Sequence, residues 1–540
     1  MADAVHDARR QPLSVGHSIF DAADELAVAV TASCRRSGRC HECVVQVLRG
    51  EDALSPRTSP EAFLPAGFRL ACQAVVERTD RDVEFAILRR PLRILMPTEA
   101  GPGETFDRDP LVARSDRSIR LEGEAIAPDT GGPLLGVAVD LGTTTVVFEL
   151  VDLESGRSLH AAAFENPQRF GGSDVMSRIA YEADHPGELR RALRRALNRE
   201  LDAAYRELGL GRRDVYEALI VGNPTMRDLF FGLDVAPLGR SPFRSAAEGA
   251  QARRAHEVAL LIHPRGRVWG APLVASHVGA DTAADLVAVD FAAAGGVSLL
   301  VDIGTNTEMV IGDGGRLLAA SSPAGPAFEG GGVSCGMAGA DGAIETLRWT
   351  GGGFAWQTIG GLPPEGICGS GLVDLLAEAS RAGLLRPDAS FAGGARTIEL
   401  VPERRIAFSR ADASNLAQAK AANAAGWQIL LRRLGLAPGA IDRVLLAGAF
   451  ANALDVRNAI AIGLLPPVPA ERVRRVGNAS VRGAKALLLS GRRRRELDAL
   501  ISRIEHVELE REPDFFDLFV DGCRFGPVEA SGGFETTGHR

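Results

Sequence analysis

The stretch LLGVAVDLGTTTVVFELVD at residues 134 to 152 returns as VSLLVDIGTNTEMVIGD at residues 297 to 313. In both copies an apolar strand runs into an aspartate and a Gly-Thr turn, and a second apolar strand leaves it. Asp302 stands where Asp140 stood. One such hairpin says little, because Gly-Thr turns join many strand pairs. Two in the same register mark an internal duplication. Around the first copy the chain reads as α/β: strands LLGVAVD and TVVFELVD, the helical ELRRALRRALNRELDAAYRELG, then the strand ALIVGN. Two lobes are expected, at 133–293 and 294–540. Amides and hydroxyls in such turns can wrap a phosphate, and an aspartate at the strand end can hold Mg2+ through water. The candidates are Asp140, Gly142, Thr143 and Thr144 in the first turn, and Asp302, Gly304, Thr305 and Asn306 in the second. The chain has no GxxxxGK[ST], so it is not a P-loop enzyme.

Further pieces fit one nucleotide cleft. VGADTAADLVA, residues 278 to 288, reads as a helix crossing between lobes, with Asp281 facing the cleft. GICGSGLVDLL, residues 366 to 376, is a Gly-rich turn into a helix N-terminus, with Gly369 and Gly371 as candidates. In VLLAGAFAN, residues 444 to 452, Gly448 would let an adenine ring lie against backbone. Lys420 in AQAKAANAAG is a candidate nucleotide contact, with a solvated lysine as the alternative. The glycine loop GGGVSCGMAGADG, residues 330 to 342, reads equally as a mobile loop without a ligand, and Cys335 and Cys368 as small buried fillers. Across about 400 residues this set resembles the phosphate, connecting and adenosine motifs of the superfamily that joins actin, sugar kinases and heat-shock chaperone ATPases, which implies ATP and Mg2+.

The cysteines are a local device. Four of the seven lie early, as Cys34, Cys40, Cys43 and Cys72, with gaps of five, two and twenty-eight residues. Three soft ligands on one tight loop and a fourth from afar suit a [2Fe-2S] cluster. A four-cysteine zinc site shares the ligands but commonly uses two short-spaced pairs. Only one pair, Cys40 and Cys43, is present. The loop lies between the helix-like SIFDAADELAVAV and the strand CVVQVLRG. Residues 14 to 92 resemble a [2Fe-2S] ferredoxin domain of β-grasp fold, with the five-residue gap of the adrenodoxin-like branch. Ferredoxin loops often carry glycine where this one has Arg35, Arg36 and His41; only Gly38 remains. The nearby positive charge favours the reduced cluster, unless those side chains simply point to water.

Composition sets the frame. At 540 residues, 46% hydrophobic and 24% charged, the chain is globular, with about three to four domains. A formal charge of −8 argues against a general nucleic-acid binder. The N-terminal MADAVHDARRQPLSVGHSIF has no apolar h-region, and no apolar run of about 18 residues occurs, so no membrane span is expected. The expected setting is cytoplasmic, where clustered cysteines bind metal or carry electrons. The Pro-, Gly- and acid-rich text from Arg93 to Pro133 suggests a linker. The expected organisation is α/β and multidomain: a ferredoxin-like domain at 1–92, a linker at 93–132, and the duplicated actin-like (ASKHA) ATPase lobes.

A [2Fe-2S] module joined to such an ATPase resembles one family, the reductive activators of corrinoid proteins. NPQRFGGSDVMSRI, DIGTNTEM, GICGSGLVDLL, LLAGAFAN and IGLLP carry the resemblance across nearly the whole chain. It implies ATP-dependent one-electron reduction of Co(II) to Co(I) in the corrinoid protein of a methyltransferase system. It also implies an upstream electron donor, with a homodimer as one possible assembly. A deficit of about 180 mV would cost roughly 4 kcal/mol for one electron, which ATP could offset. The C-terminal [4Fe-4S] variant is excluded, since only Cys523 follows Cys368. A redox-sensing regulator and a small-molecule kinase are the other readings.

Overall fold

A computed structural model describes residues 2–528 apart from 7–8, 31, 33, 89–90, 93–107, 294, 313, 449–450 and 452. It divides into two compact units, one of Met1–Ile94 and Leu111–Gly270, the other of Leu95–Pro110 and Ala271–Arg540.

In the first unit, β1 (Asp3–His6), β2 (Arg9–Pro12), α1 (Ile19–Glu25), β3 (Val44–Arg49), β4 (Phe68–Leu70) and β5 (Val83–Ile87) form a small module. Its sheet order is β2-β1-β5-β3-β4, with β1 parallel to β5 and the other pairs antiparallel, as expected of a β-grasp. A Ser18–Asp21 capping box starts α1. The helix lays Ile19, Phe20, Ala22 and Ala23 into a core shared with Val45, Leu70 and Phe85. A buried pair, Arg69 Nε to Glu61 Oε1 at 2.8 Å, fixes β4 just ahead of Cys72.

β6 (Pro91–Leu92) pairs with a strand of the adjoining lobe. Residues 93–107, the first part of the expected linker, lie outside the described residues. The rest departs from a linker: β7 (Val112–Ser115), β8 (Ser118–Leu121) and β9 (Glu124–Pro128) form an antiparallel meander burying Val112, Ile119, Leu121 and Ile126. The polar, glycine-bearing text is turn chemistry. Asp116, Arg117, Glu122 and Gly123 all have positive φ, as two-residue hairpin turns require.

The adjoining lobe contains β10 (Leu135–Leu141), β11 (Thr145–Asp152), β12 (Ser158–Glu165), α2 (Val175–Asp184), α3 (Glu188–Leu208), β13 (Val215–Gly222), α4 (Pro224–Phe231), β14 (Gln251–Arg254) and β15 (Arg267–Gly270). Its sheet runs β14-β15-β13-β10-β11-β12-β6, with β10, β11 and β12 an antiparallel meander and β13 parallel to β10.

The second unit adds α5 (Ala280–Ala288), β16 (Ser298–Ile303), β17 (Thr307–Gly312), β18 (Leu317–Ser322), β19 (Ala343–Trp349), β20 (Phe354–Thr358), β21 (Gly366–Ile367) and α6 (Gly369–Arg381). There follow β22 (Thr397–Val401), β23 (Ile406–Ser409), α7 (Arg410–Leu434), β24 (Arg443–Ala447), α8 (Val456–Ala461), β25 (Val473–Gly477), α9 (Ala479–Leu489), α10 (Gly491–Ile501), β26 (Ile504–His506) and α11 (Phe515–Gly522). The sheet order is β25-β24-β16-β17-β18-β26, again an antiparallel meander with a parallel strand beside its first member. The sequence duplication is thus a duplication of architecture: β10-β11-β12 with β13, and β16-β17-β18 with β24. The break between units falls at Gly270, ahead of the expected lobe boundary at 293, because α5 packs on α9. A Cβ on Gly483 would lie 1.9 Å from the Ala284 carbonyl oxygen, so only glycine permits this crossing.

Candidate functional site

Two pairs of thiols define the N-terminal centre. Cys43 Sγ lies 3.4 Å from Cys72 Sγ, and Cys34 is hydrogen-bonded with Cys40. Cys40 and Cys43 are buried, while Cys34 and Cys72 are partly exposed. Burial opposes ionisation of Cys34, but the Ser37 hydroxyl and the amides of Cys40 and Arg39 outweigh it and bring the thiol down to about 6. Cys72 is brought to about 6 chiefly by the Cys43 thiol, against burial, with Gln73 and the Gly38 amide helping. Cys43 is raised by the same contact and by burial. Among the described residues no three His, Cys, Asp or Glu side chains converge to hold a single ion. Thiols arranged two by two, under converging amides, instead match a cluster in which each of two irons takes two thiolates.

The loop departs from ferredoxin practice as the sequence indicated. Arg35, Arg36 and His41 have φ of 53°, 62° and 57°, the left-handed region that glycine fills without cost. Each costs about 1–2 kcal/mol. Arg36 is compensated: it pairs with Asp21 at 2.6 Å and with Asp24, and lies 4.0 Å over the Phe20 ring. His41 is compensated too. It stacks on Phe63 at 4.1 Å and meets Glu188 of α3 at 3.3 Å.

His41 belongs to a seam that seats the module on its lobe. Glu42 pairs with Arg199 at 2.5 Å, and Arg169 donates to Gln46 Oε1 at 2.9 Å. The Tyr181 hydroxyl of α2 donates to the Phe63 carbonyl. Phe63, Phe170 and Tyr181 continue edge to face.

In the same unit, the turn after β10 is held by side chains that sequence reasoning did not single out. Asn166 donates to the Gly142 carbonyl at 2.9 Å, and its own amide N–H donates to Thr144 O at 2.7 Å. Asn223 Nδ2 donates to Thr143 Oγ1 at 2.9 Å. Arg178 of α2 is fully buried and donates through Nη2 to the Thr143 carbonyl at 2.7 Å. Burial brings its guanidinium down to about 10, against the pull of Asp174. A Cβ on Gly142 would meet Thr145 O at 2.4 Å, so the turn closes only around glycine. The signal was present: NPQRFGGSDVMSRI supplies both Asn166 and Arg178.

The second turn repeats the arrangement with a denser charge. Asp302 ends β16 as Asp140 ends β10. Thr305 Oγ1 donates to Glu329 Oε2 at 2.7 Å. Asp302 is raised to about 6, first by burial and then by Glu329, against a hydrogen bond with Asp285. Glu308 is raised too, by burial and by Asp281 and Asp302. Asp281 lies in the first turn of α5, where its carboxylate accepts from Thr282 N at 2.8 Å. Gly304 and Asn306 close the turn through the Gly304 N–H to Asn306 O bond of 3.1 Å. Gly448 ends β24 against it. With φ of 99°, a Cβ there would lie 2.7 Å from Ile303 O and 2.9 Å from Asp302 Oδ1.

Other candidates have structural duties. Gly371 lets α6 approach β19, since its Cβ would meet Ile344 O at 2.4 Å; Gly369 opens that helix. Lys420 is not solvated: buried in α7, it donates to the Arg524 carbonyl at 2.6 Å, and burial lowers it to about 8. Residues 330–342 are a self-packed turn on α7, with Ser334 N and Oγ donating to Asp412 at 2.6 and 2.7 Å. Cys335 and Cys368 are buried, as fillers would be. No helix among the described residues is long and apolar enough to cross a membrane.

Comparison with known proteins agrees domain by domain. Residues 6–77 match the 2Fe-2S iron-sulfur cluster binding domain, residues 135–294 the RACo middle region, and residues 296–534 the C-terminal ASKHA domain of RACo. The corrinoid activation enzyme RamQ of Eubacterium limosum is 33% identical over 421 residues, covering 73% of this chain and 71% of its own. The chain belongs to the corrinoid reductive activator family. A solved reductive activator for a corrinoid, iron-sulfur protein superposes with a TM-score of 0.70 at 28% identity, covering 97% of this chain and 98% of its own. The Co(II) methylated amine-specific corrinoid protein reductase of Methanosarcina barkeri is 24% identical over 427 residues, 72% of this chain and 76% of its own. The N-terminal domain of this activator is therefore a [2Fe-2S] domain, and the paired thiols fit that group. Its C-terminal half is an ATP-binding ASKHA domain.

Proposed function

We propose that this activator passes one electron to the Co(II) of a corrinoid protein, giving Co(I) and restoring methyl transfer, with ATP turnover coupled to the step. The cluster supplies a one-electron carrier. The relatives named for corrinoid activation and Co(II) corrinoid protein reduction support the target. Asp140 and Asp302 hold Mg2+ through water, the turns at 142–144 and 304–306 cradle phosphate, and the backbone at Gly448 accepts the adenine. An upstream donor recharges the protein in the reducing cytoplasm.

One observation carries the coupling. Arg178 and Tyr181 lie one turn apart on α2. Arg178 holds the Thr143 carbonyl of the phosphate turn, and Tyr181 holds the Phe63 carbonyl of the cluster module. A nucleotide that shifts the turn pulls on the helix that seats the module, so both sites bias one element.

ATP turnover should rise on adding a Co(II) corrinoid protein and stay flat with sugars or organic acids. Tyr181→Phe should keep basal turnover and the visible spectrum, yet lose most of that rise, about fivefold or more for 1 kcal/mol of coupling. Turnover that rises with a sugar would make the protein a kinase. Turnover that rises with neither would make it a sensor.

A further inference from the structure

We infer that the exposed rim of the cysteine loop, Arg35 with Arg39, is the docking surface for an acidic electron-carrier protein. Three residues of this loop occupy backbone conformations that suit glycine, and internal contacts account for two. Arg36 is held by Asp21, Asp24 and the Phe20 ring. His41 is held by Phe63 and Glu188. Arg35, at φ of 53°, has no ion-pair or side-chain hydrogen-bond partner among the described residues, and its side chain is exposed. A strained arginine with no ion-pair or side-chain hydrogen-bond partner among the described residues points to a contact outside the fold. Arg39 is exposed as well, while its amide faces the Cys34 thiol.

The position suits electron entry. Arg35 adjoins Cys34, the partly exposed ligand of the loop, and Arg39 adjoins buried Cys40. The surrounding acids are already engaged: Asp21 and Asp24 by Arg36, Glu42 by Arg199, Glu188 by His41 and Arg191. The rim is therefore positive on a chain whose formal charge is −8. It also lacks an apolar patch. None of the large exposed hydrophobic side chains, which include Val15, Leu48, Met176 and Phe516, lies within residues 34–43. Charge without apolar area gives fast, weak, salt-sensitive encounters. That is what a carrier needs if it must leave after each electron. In the step itself one electron leaves the reduced carrier and enters the oxidised cluster, and no bond is made or broken.

The inference rests on the cluster being an electron carrier, but its test needs neither ATP nor a corrinoid protein. The full-length protein is mixed in stopped flow with a fully reduced acidic flavodoxin, and in parallel with photoreduced deazaflavin, a small uncharged reductant. Arg35→Gly relieves the left-handed backbone, so a merely structural role predicts no loss. Here the second-order rate with flavodoxin should fall about threefold in Arg35→Gly and about tenfold or more in Arg35→Glu with Arg39→Glu. Salt should slow the parent strongly and the double variant little, while deazaflavin reduces all three alike. Flavodoxin rates equal to the parent at low salt would overturn the inference. A deazaflavin rate that falls in parallel in Arg35→Gly would assign the arginine to the cluster itself. Slower transfer to a corrinoid protein with unchanged flavodoxin rates would assign the rim to that partner instead.

Discussion

Protein carrying Cys40→Ala is expected to leave anaerobic purification colourless, with iron and sulfide near zero, while its ATP affinity stays within about twofold of the parent. Cys40 is 4% exposed and pairs with Cys34, so no water or neighbouring carboxylate can stand in for it. Cluster binding is also folding free energy for a loop with three left-handed non-glycine residues, so the β-grasp module should unfold earlier. The turn at 304–306, proposed to cradle phosphate, lies in another compact unit and should keep its fold. Metal and sulfide analysis with isothermal titration of ATP checks both halves. Stoichiometric zinc in the anaerobically prepared parent would contradict the assignment.

Asp302→Asn should produce two effects of opposite sign. ATP hydrolysis should fall about 100-fold or more, equivalent to about 2.7 kcal/mol of barrier, because the group proposed to steady Mg2+ loses its charge. The nucleotide-free protein should meanwhile melt higher at pH 8. Burial and Glu329 raise the Asp302 carboxyl to about 6, so the fold bears its charge reluctantly. A carboxyl raised in the fold weakens it in full above that value, by less as pH falls from about 6 toward the ordinary carboxyl range, and not at all below that range, where both folded and unfolded chains are protonated. The gain, about 2–4 °C per kcal/mol, should therefore be largest at pH 8 and fade as pH falls through about 6. Calorimetry at pH 8 and pH 5 tests the sign, and a lower melting temperature at pH 8 would contradict it. Unchanged hydrolysis would remove Asp302 from the site.

What the sequence revealed depended on how local the cause was. The Gly-Thr turns were legible because strand, aspartate and turn are contiguous, and Asp140 and Asp302 sit at equivalent strand ends. The cysteine spacing was legible for the same reason. The braces were not legible as braces: NPQRFGGSDVMSRI marked Asn166 and Arg178 only as parts of a motif, and with Asn223 they act on carbonyls and a hydroxyl of the turn at 142–144 from far along the chain, where only folding brings them. Gly483 looked like an ordinary helix glycine until Ala284 lay against it. Lys420, read as a nucleotide contact or a solvated lysine, is buried and donates to the Arg524 carbonyl, a partner 104 residues along the chain that no motif announces. The meander at 112–128 was hidden by its own hairpin residues, whose composition is also that of a linker.

The most direct measurement is the yield of Co(I) by cobalt absorbance, when the reduced protein meets a Co(II) corrinoid protein that it binds, with and without Mg2+ and ATP. Coupling through the turn at 142–144, α2 and the cluster module requires Co(I) to accumulate only when both are present. A residue 133–540 fragment should bind ATP and yield none. Equal Co(I) with and without ATP would contradict the account, leaving a cluster and a nucleotide site that share a chain but not a task.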